Sequence, residues 1–323
     1  MRIAFLGNFQ VPYSSENHHA SSLETLGHEV VRLQEPSTPA DIVTAEALAS
    51  DLFVWVHTHG WNTPGIEDTL RRLRKANIPS VTYHLDLWLG LERQRDMQSS
   101  PYWDIDHFFT VDKKMADWLN DHTNVQGHYL PAGVFDKECY ISTEPSPHAN
   151  DVIFVGSKRY HPEWLWRPQL IDWLRDTYGT RFTHIGGDGD TGTLRGDDLN
   201  RAYAGSKVAV GDTLCLGFDY PWYASDRLFE APGRGGFQIF PRIKGIPELM
   251  DGTMPFFDFG DFDGLKDLID YYLEHDQGRE TLRTLCHAHV KGHHTYVHRW
   301  QTILDTVCHW AQTTNSTGFT SHD

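Results

Sequence analysis

The sequence predicts an α/β protein built from two Rossmann-like halves. Three observations carry that expectation. Short apolar runs alternate with longer amphipathic stretches, the pattern of strand–helix–strand units and a parallel sheet. The pattern starts twice, at Ile3-Ala4-Phe5-Leu6 closed by Gly7 and again at Val152-Ile153-Phe154-Val155 closed by Gly156. At 323 residues, the chain is also longer than one hydrophobic core usually serves.

In the first half, residues 2–6 read as a strand and 15–26 as a helix capped by Gly27. Strands at 30–33 and 51–57, a helix at 66–76 and a strand at 80–84 follow. A strand at 108–111, a helix at 113–120 and a strand at 127–130 complete it. Residues 141–150 (Ile-Ser-Thr-Glu-Pro-Ser-Pro-His-Ala-Asn) are polar and proline-bearing, and read as an interdomain linker. The second half continues with a helix at 167–178, a strand at 182–185, a helix at 199–205 and a strand at 207–211. A helix at 225–233, a strand at 237–240, a helix at 264–275 and a helical tail to about 309 follow, with a frayed polar end from 313. The expected divisions are therefore 1–145, 150–300, and a terminal helix and tail over 301–323.

Forty-four acidic residues against 28 basic ones leave a net charge of −16. A protein that grips nucleic acid through its phosphates normally carries a basic surface, so nucleic acid is disfavoured, and anionic membranes for the same reason. Cys139, Cys215, Cys286 and Cys308 form no C-x-x-C pair and read as reduced thiols. With no leader pattern before the first strand and no apolar run approaching 18 residues, the expected location is the cytoplasm.

Open parallel sheets bind ligands beyond the carboxyl ends of their strands, so residues just after strands are the candidates. Gly7-Asn8 is the first, and it also fits a plain tight turn. It is no G-x-G-x-x-G fingerprint, which speaks against a nicotinamide enzyme. His84, with Asp86 two residues on, fits an oriented acid or base as well as a structural loop histidine. Gly156-Ser157-Lys158-Arg159 offers two cations and free N–H groups at a turn, suited to a diphosphate; solvated surface charge is the alternative. The strongest segment is Arg227-Leu228-Phe229-Glu230-Ala231-Pro232-Gly233-Arg234-Gly235-Gly236. Arg227 and Glu230, three apart, share a helix face, where they can serve a ligand or simply pair with each other.

The stretch Arg227-x-Phe229-Glu230, Gly235-Gly236, then Gly245-x-x-Glu248-Leu249 resembles the C-terminal half of retaining GT-B glycosyltransferases, closest to the spore-maturation CgeB-type branch. Phe154-Val155-Gly156-Ser157, residues 199–212 and His294-Thr295-Tyr296-x-x-Arg299 are similar to that family's pieces in the same order. The resemblance covers about residues 150–305 and implies two Rossmann-like domains with parallel sheets facing across a cleft. It implies sugar transfer with retention from a nucleoside-diphosphate sugar, a UDP-sugar foremost, without a metal or other cofactor. By the same resemblance Glu230 would bind the donor ribose, and Arg227 with Lys158 or Arg159 the diphosphate. Gly235 and Gly236 belong to the same donor turn, the Gly7 loop would face the diphosphate, and His84 would sit near the acceptor or the leaving sugar. One position departs. The family's acidic pair is Glu, seven residues, Glu, and the upstream place holds Trp222, with Asp219 and Asp226 the nearest acids.

Two further patterns invite a metal. Asp104-x-Asp106 reads as a loop feature, and His287, His289, His293, His294 and His298 fit no strong zinc spacing. His18, His19, His57, His59, Trp61 and Trp88 can line a sugar- or base-stacking cleft or pack in a core. The acceptor stays open among a glycan, a protein side chain and a modified DNA base. A non-catalytic nucleotide-sugar-binding protein of the same fold is the alternative.

Overall fold

The computed structural model describes residues 1–35, 37–58, 60–87, 101–159, 165–217 and 219–317. The chain divides into two compact units, Met1–Leu130 joined by Tyr296–Asp323, and Pro131–Thr295.

The first unit is a parallel six-stranded sheet in the order β2-β1-β3-β4-β5-β6. Its strands are β1 (Arg2–Gly7), β2 (Glu29–Gln34), β3 (Leu52–Trp55), β4 (Ser80–His84), β5 (His107–Thr110) and β6 (Gln126–Tyr129). β1 lies between β2 and β3, with Ile3 opposite Val30 on β2 and Leu52 on β3. Ser14 caps α1 (Ser15–Thr25) by accepting from Asn17 N–H at 3.2 Å, and Asp112 caps α4 (Lys113–His122) through Met115 N–H. α2 (Ala40–Leu48), which the proline-bearing run before it conceals in the sequence, connects β2 to β3 and buries Val43, Thr44 and Ala47. α3 (Ile66–Ala76) turns Ile66, Leu70 and Leu73 inward, with Glu67 and Asp68 in its first turn and Arg74 and Lys75 in its last, both favourable to its dipole.

Alternation along β1 divides the core. Ala4 and Leu6 join Phe53, Trp55, Leu70 and Phe108 on one face. On the other face Phe5 meets Trp300 at 6.2 Å between ring centroids. Trp300 belongs to α11 (Tyr296–Thr317), so the final helix completes the first unit instead of forming a separate tail, and it runs beyond the expected end at 309. The expected boundary near 300 moves to 295/296 because Tyr296 and Trp300 are buried in that core.

The second unit is a parallel five-stranded sheet, β11-β10-β9-β7-β8. Its strands are β7 (Val152–Val155), β8 (Phe182–Ile185), β9 (Val208–Val210), β10 (Gln238–Pro241) and β11 (Phe256–Phe257). Helices α5 (Trp166–Tyr178), α6 (Gly196–Gly205), α7 (Arg227–Gly233), α8 (Ile246–Leu249), α9 (Phe262–Glu274) and α10 (Asp276–His293) connect and cover it. The segment expected to link the halves belongs to this unit. Asn200 Nδ2 donates to the carbonyls of Glu138 and Tyr140 at 2.8 and 3.0 Å, and the buried Arg234 bonds the Glu138 carboxylate. Those bonds draw the boundary back to Leu130/Pro131. Among the described residues no helix is long and apolar enough to cross a membrane.

Candidate functional site

In the second sheet the chain runs from β7 outward to β8, then returns past β7 to β9. The order therefore reverses between β7 and β9, which makes the carboxyl ends of these two strands the place for a ligand. Gly156 ends the first and Asp212 follows the second.

Arg227, the first residue of α7, reaches this point. Its Nε donates to the Val155 carbonyl at 2.9 Å. Its guanidinium lies flat against Gly156, where a Cβ would fall 2.8 Å from Nη2. Gly156 also has φ +138°, so the position demands glycine twice over. Burial works against the arginine charge, but Asp226, Asp212 and Glu230 outweigh it and hold the pKa above the ordinary arginine value. Neither Nη group makes a hydrogen bond among the described residues. A half-buried cation with two open forks of N–H donors at a switch point is an anion site in waiting.

The shell around Arg227 is built from residues the sequence did not single out. Arg167 and Asp212 form a buried ion pair, Nε to Oδ2 at 2.7 Å, and Arg167 Nη1 donates to the Ser157 carbonyl at 3.1 Å. The pair ties α5 to the loops after β7 and β9. Gln238 Nε2 donates to the Arg227 carbonyl at 3.2 Å, fixing the start of α7 to β10. The only outward signal was an acid directly following the Gly211 that closes a strand.

Glu230 is half-buried on the same helix, one turn on. Its ion partner is Arg234, at 3.7 Å, so the surface pair between Arg227 and Glu230 does not form. Arg234 itself is buried, bonded to Asn200 Oδ1 at 2.7 Å and to Glu138. Burial opposes its charge, and Glu230 and Glu138 prevail, raising its pKa.

The other predicted donor residues fare differently. The N–H groups of Lys158 and Arg159, expected to be free, both bond the Asp188 carboxylate, at 2.9 and 3.3 Å to its nearest oxygens. Burial alone would raise the Asp188 pKa, but these backbone bonds hold it below the ordinary value. The Lys158 ammonium pairs with Asp172, and Arg159 is exposed. In the glycine turn, Arg234, Gly235 and Gly236 N–H bond back to Glu230, Pro232 and Ala231, so they close the helix. A Cβ at Gly236 would sit 2.9 Å from the Tyr203 ring, and one at Gly235 3.0 Å from Ile141. Both glycines are explained by packing.

Trp222 has φ +67°, and its indole covers Gly245, where a Cβ would fall 2.3 Å from the ring. The Trp222 backbone N–H donates to the Lys244 carbonyl at 2.8 Å. Trp222 thus braces the loop before α8.

Gly7, His84 and Asp86 lie in the first unit. A Cβ on Gly7 would meet the Glu16 side chain at 2.9 Å. His84 ends β4, buried, with the rings of Phe108 and Tyr102 at 5.7 and 6.0 Å. Asp86 is half-buried in the loop that follows. His59 and Trp88 lie outside the described residues.

The metal-like patterns have structural partners. Asp106 Oδ2 accepts from the N–H and hydroxyl of Ser80, at the amino end of β4, the wrong end of a parallel sheet for a ligand. His289 and His294 both point Nε2 at the Leu249 carbonyl, at 2.8 and 3.1 Å, and His287 meets the Pro232 carbonyl at 3.1 Å. His293 Nδ1 meets the His289 carbonyl at 3.0 Å, and His298 lies in the other unit. Among the described residues no cluster of three or more His, Cys, Asp or Glu side chains could hold a metal ion.

Residues 167–305 match the family model described as "Glycosyl transferase-like". A search of curated proteins finds none that matches the chain. Among solved structures, the chain is similar to an alpha-glucosyltransferase in complex with UDP-glucose and DNA containing an abasic site. That match has a TM-score of 0.69 at 10% identity, over 95% of this chain and 99% of the other. HepE from Anabaena in complex with UDP-glucose matches with a TM-score of 0.63 at 14% identity, over 98% and 100%. Sucrose-phosphate synthase from Thermosynechococcus elongatus matches at 0.58 and 12%, over 99% and 100%. The fold is thus the two-sheet GT-B architecture of glycosyltransferases, and residues 167–305 are similar to a glycosyl transferase-like domain.

Proposed function

We propose that a chain with this domain and this fold moves a sugar from a nucleoside-diphosphate donor to an acceptor. The observation that carries the reading is Arg227, held by Val155 and seated on Gly156 at the β7/β9 switch point with both Nη groups open. A diphosphate placed there meets a bidentate cation whose charge survives burial. Glu230, one turn along the helix and still part-exposed, takes the donor ribose through paired hydrogen bonds. Lys158 reaches the diphosphate once it exchanges Asp172 for it. These cations stand opposite the leaving diphosphate, so we assign no divalent ion or other cofactor to the step.

Solved proteins of this fold in complex with UDP and UDP-glucose support a uridine donor. The sequence resemblance over residues 227–236 supports the CgeB-type branch and retention at the anomeric carbon. His84, with Asp86 beside it, is the group we assign to the transfer step in the first unit. The Lys158 loop opens for donor only if Asp188 releases its N–H groups, or remains as a support if Arg227 alone grips the phosphates.

Thermal melting with UDP-, GDP- and TDP-sugars tests the reading. A donor at a hundred times its Kd stabilises by about 2.7 kcal/mol. No shift with any of the three would overturn the donor site. Release of nucleoside diphosphate on incubation with the stabilising donor separates an enzyme from a protein that only binds.

A further inference from the structure

A second built cluster lies in the first unit, just past the carboxyl ends of β2 and β3. Glu35 follows β2, and its side chain has no exposure. Its Oε1 accepts from Trp55 Nε1 at 3.0 Å and from the Thr63 hydroxyl, and faces His57 Nδ1 at 2.8 Å. Its Oε2 accepts from Thr58 N–H at 3.0 Å. Four donors on one buried carboxylate make a fixed anion.

That anion sets the histidine. With Nδ1–H committed to Glu35, Nε2 is the ring nitrogen left to the pocket, and in that tautomer it is a hydrogen-bond acceptor. Nε2 makes no hydrogen bond among the described residues, and the His57 side chain is 14% exposed. It lines a cavity of about 440 Å³ together with Trp61, Asn62, Thr63, Glu67 and Asp68. Trp61 is half-buried, Glu67 exposed, and Asp68 shares its charge with Arg71.

The lining selects a ligand class. Acceptors predominate in His57 Nε2 and the two carboxylates, so a ligand rich in donors and without negative charge fits. An indole adds a flat apolar face. A neutral polyhydroxylated ring has both properties. A phosphodiester would bring its charge against Glu67 and Asp68.

We propose that this pocket binds a neutral carbohydrate, stacked on Trp61 and donating one hydroxyl to His57 Nε2, with Glu35 as the positioning residue. That the bound sugar is the acceptor of the transfer rests on the function proposed above; the pocket as a sugar site does not.

The test applies the full chain to an array of neutral, sialylated and sulfated glycans and to a 13-mer DNA duplex, with UDP-glucose melting on the same samples. Neutral glycans should bind. Trp61→Ala and His57→Ala should each lose at least tenfold in affinity and keep their stabilisation by UDP-glucose. Trp61→Ala should keep its melting temperature, whereas His57→Ala, which takes a partner from the buried Glu35, should melt lower yet still fold. Glu35→Gln should weaken binding and shift His57 from the Nδ1–H tautomer to a mixture, read from its imidazole ¹⁵N shifts. Binding confined to anionic glycans or to DNA overturns the proposal, as does undiminished glycan binding by the folded Trp61 and His57 variants. If UDP-glucose shifts melting but no neutral glycan binds, the pocket fails and the donor site stands. If glycans bind through Trp61 while no nucleotide sugar stabilises, the sugar site stands and its role as acceptor site falls.

Discussion

Arg227 and Glu230 divide the work of the donor site, and their substitutions should separate it. Arg227→Ala removes the charge at the switch point and should abolish stabilisation by UDP-glucose in thermal melting. Glu230→Ala removes charge-assisted hydrogen bonds to a ribose, worth about 1.5–3 kcal/mol, so titration calorimetry should show Kd rising about tenfold or more. His84→Ala should lower kcat for UDP release with donor Kd unchanged, because His84 lies in the other unit from the donor residues. A different residue governs acid stability. His19 is fully buried among Tyr83, Tyr296 and Trp300, with neither ring nitrogen hydrogen-bonded among the described residues, and burial lowers its pKa from 6.5 to about 3. The unfolded chain therefore binds the proton first, and stability falls as pH drops from about 6.5 toward 3. His107, its pKa lowered to about 4 by burial and by His128, adds to the same trend. Urea midpoints at pH 7.5 and 5.5 should fall apart for the wild type, and His19→Leu should narrow the gap while raising stability at both.

The loops after β7 and β9 act as one element because Arg167 and Asp212 join them. Removing one member of a buried pair leaves the other uncompensated, at a cost of about 3–5 kcal/mol. Arg167→Met should therefore lower the urea midpoint more than Arg167→Met with Asp212→Leu together. Gly156→Ala should displace the Arg227 guanidinium and weaken donor binding at least tenfold, with a smaller loss of stability. At this scale the sequence was readable where a signal is local. Strand β7 shows as a closed apolar run, and Arg227 and Glu230 show as neighbours on a helix. The cluster around Glu35 does not, since its partners lie 20–28 residues further on and meet it only when β2 and β3 end on either side of β1. Asp188 is hidden in the same way, 30 residues from the Lys158 N–H that it occupies. A lone acid after a strand has no periodicity to announce it. The glycine turn was legible as a motif, yet its reason is the packing of Tyr203 and Ile141, which only three dimensions display.

At the scale of the molecule, one restart of the strand–helix pattern, at Val152, was enough to predict two parallel-sheet units. Their boundaries were less legible. A polar, proline-bearing stretch looks like a linker whether or not long-range bonds such as Arg201 to Glu144 and Asn150 to Thr183 tie it down. The final helix offered no sign of which sheet it would cover, because an apolar helical stripe fits either. Its return to the first unit leaves that unit discontinuous and the second continuous, over Pro131–Thr295. Synthesis therefore does not finish the units in the order in which they begin. Leu130 leaves the ribosome long before Trp300, and until then Phe5 and His19 lack the ring that closes over them. The later-made unit can complete its core first, while the earlier one waits with an uncovered apolar face, open to chaperones and proteases. A nascent chain arrested with its last exposed residue near 295 should show protease-resistant β7–β11 and a cleavable β1–β6, and protection of the latter should appear only once residues beyond 307 have emerged.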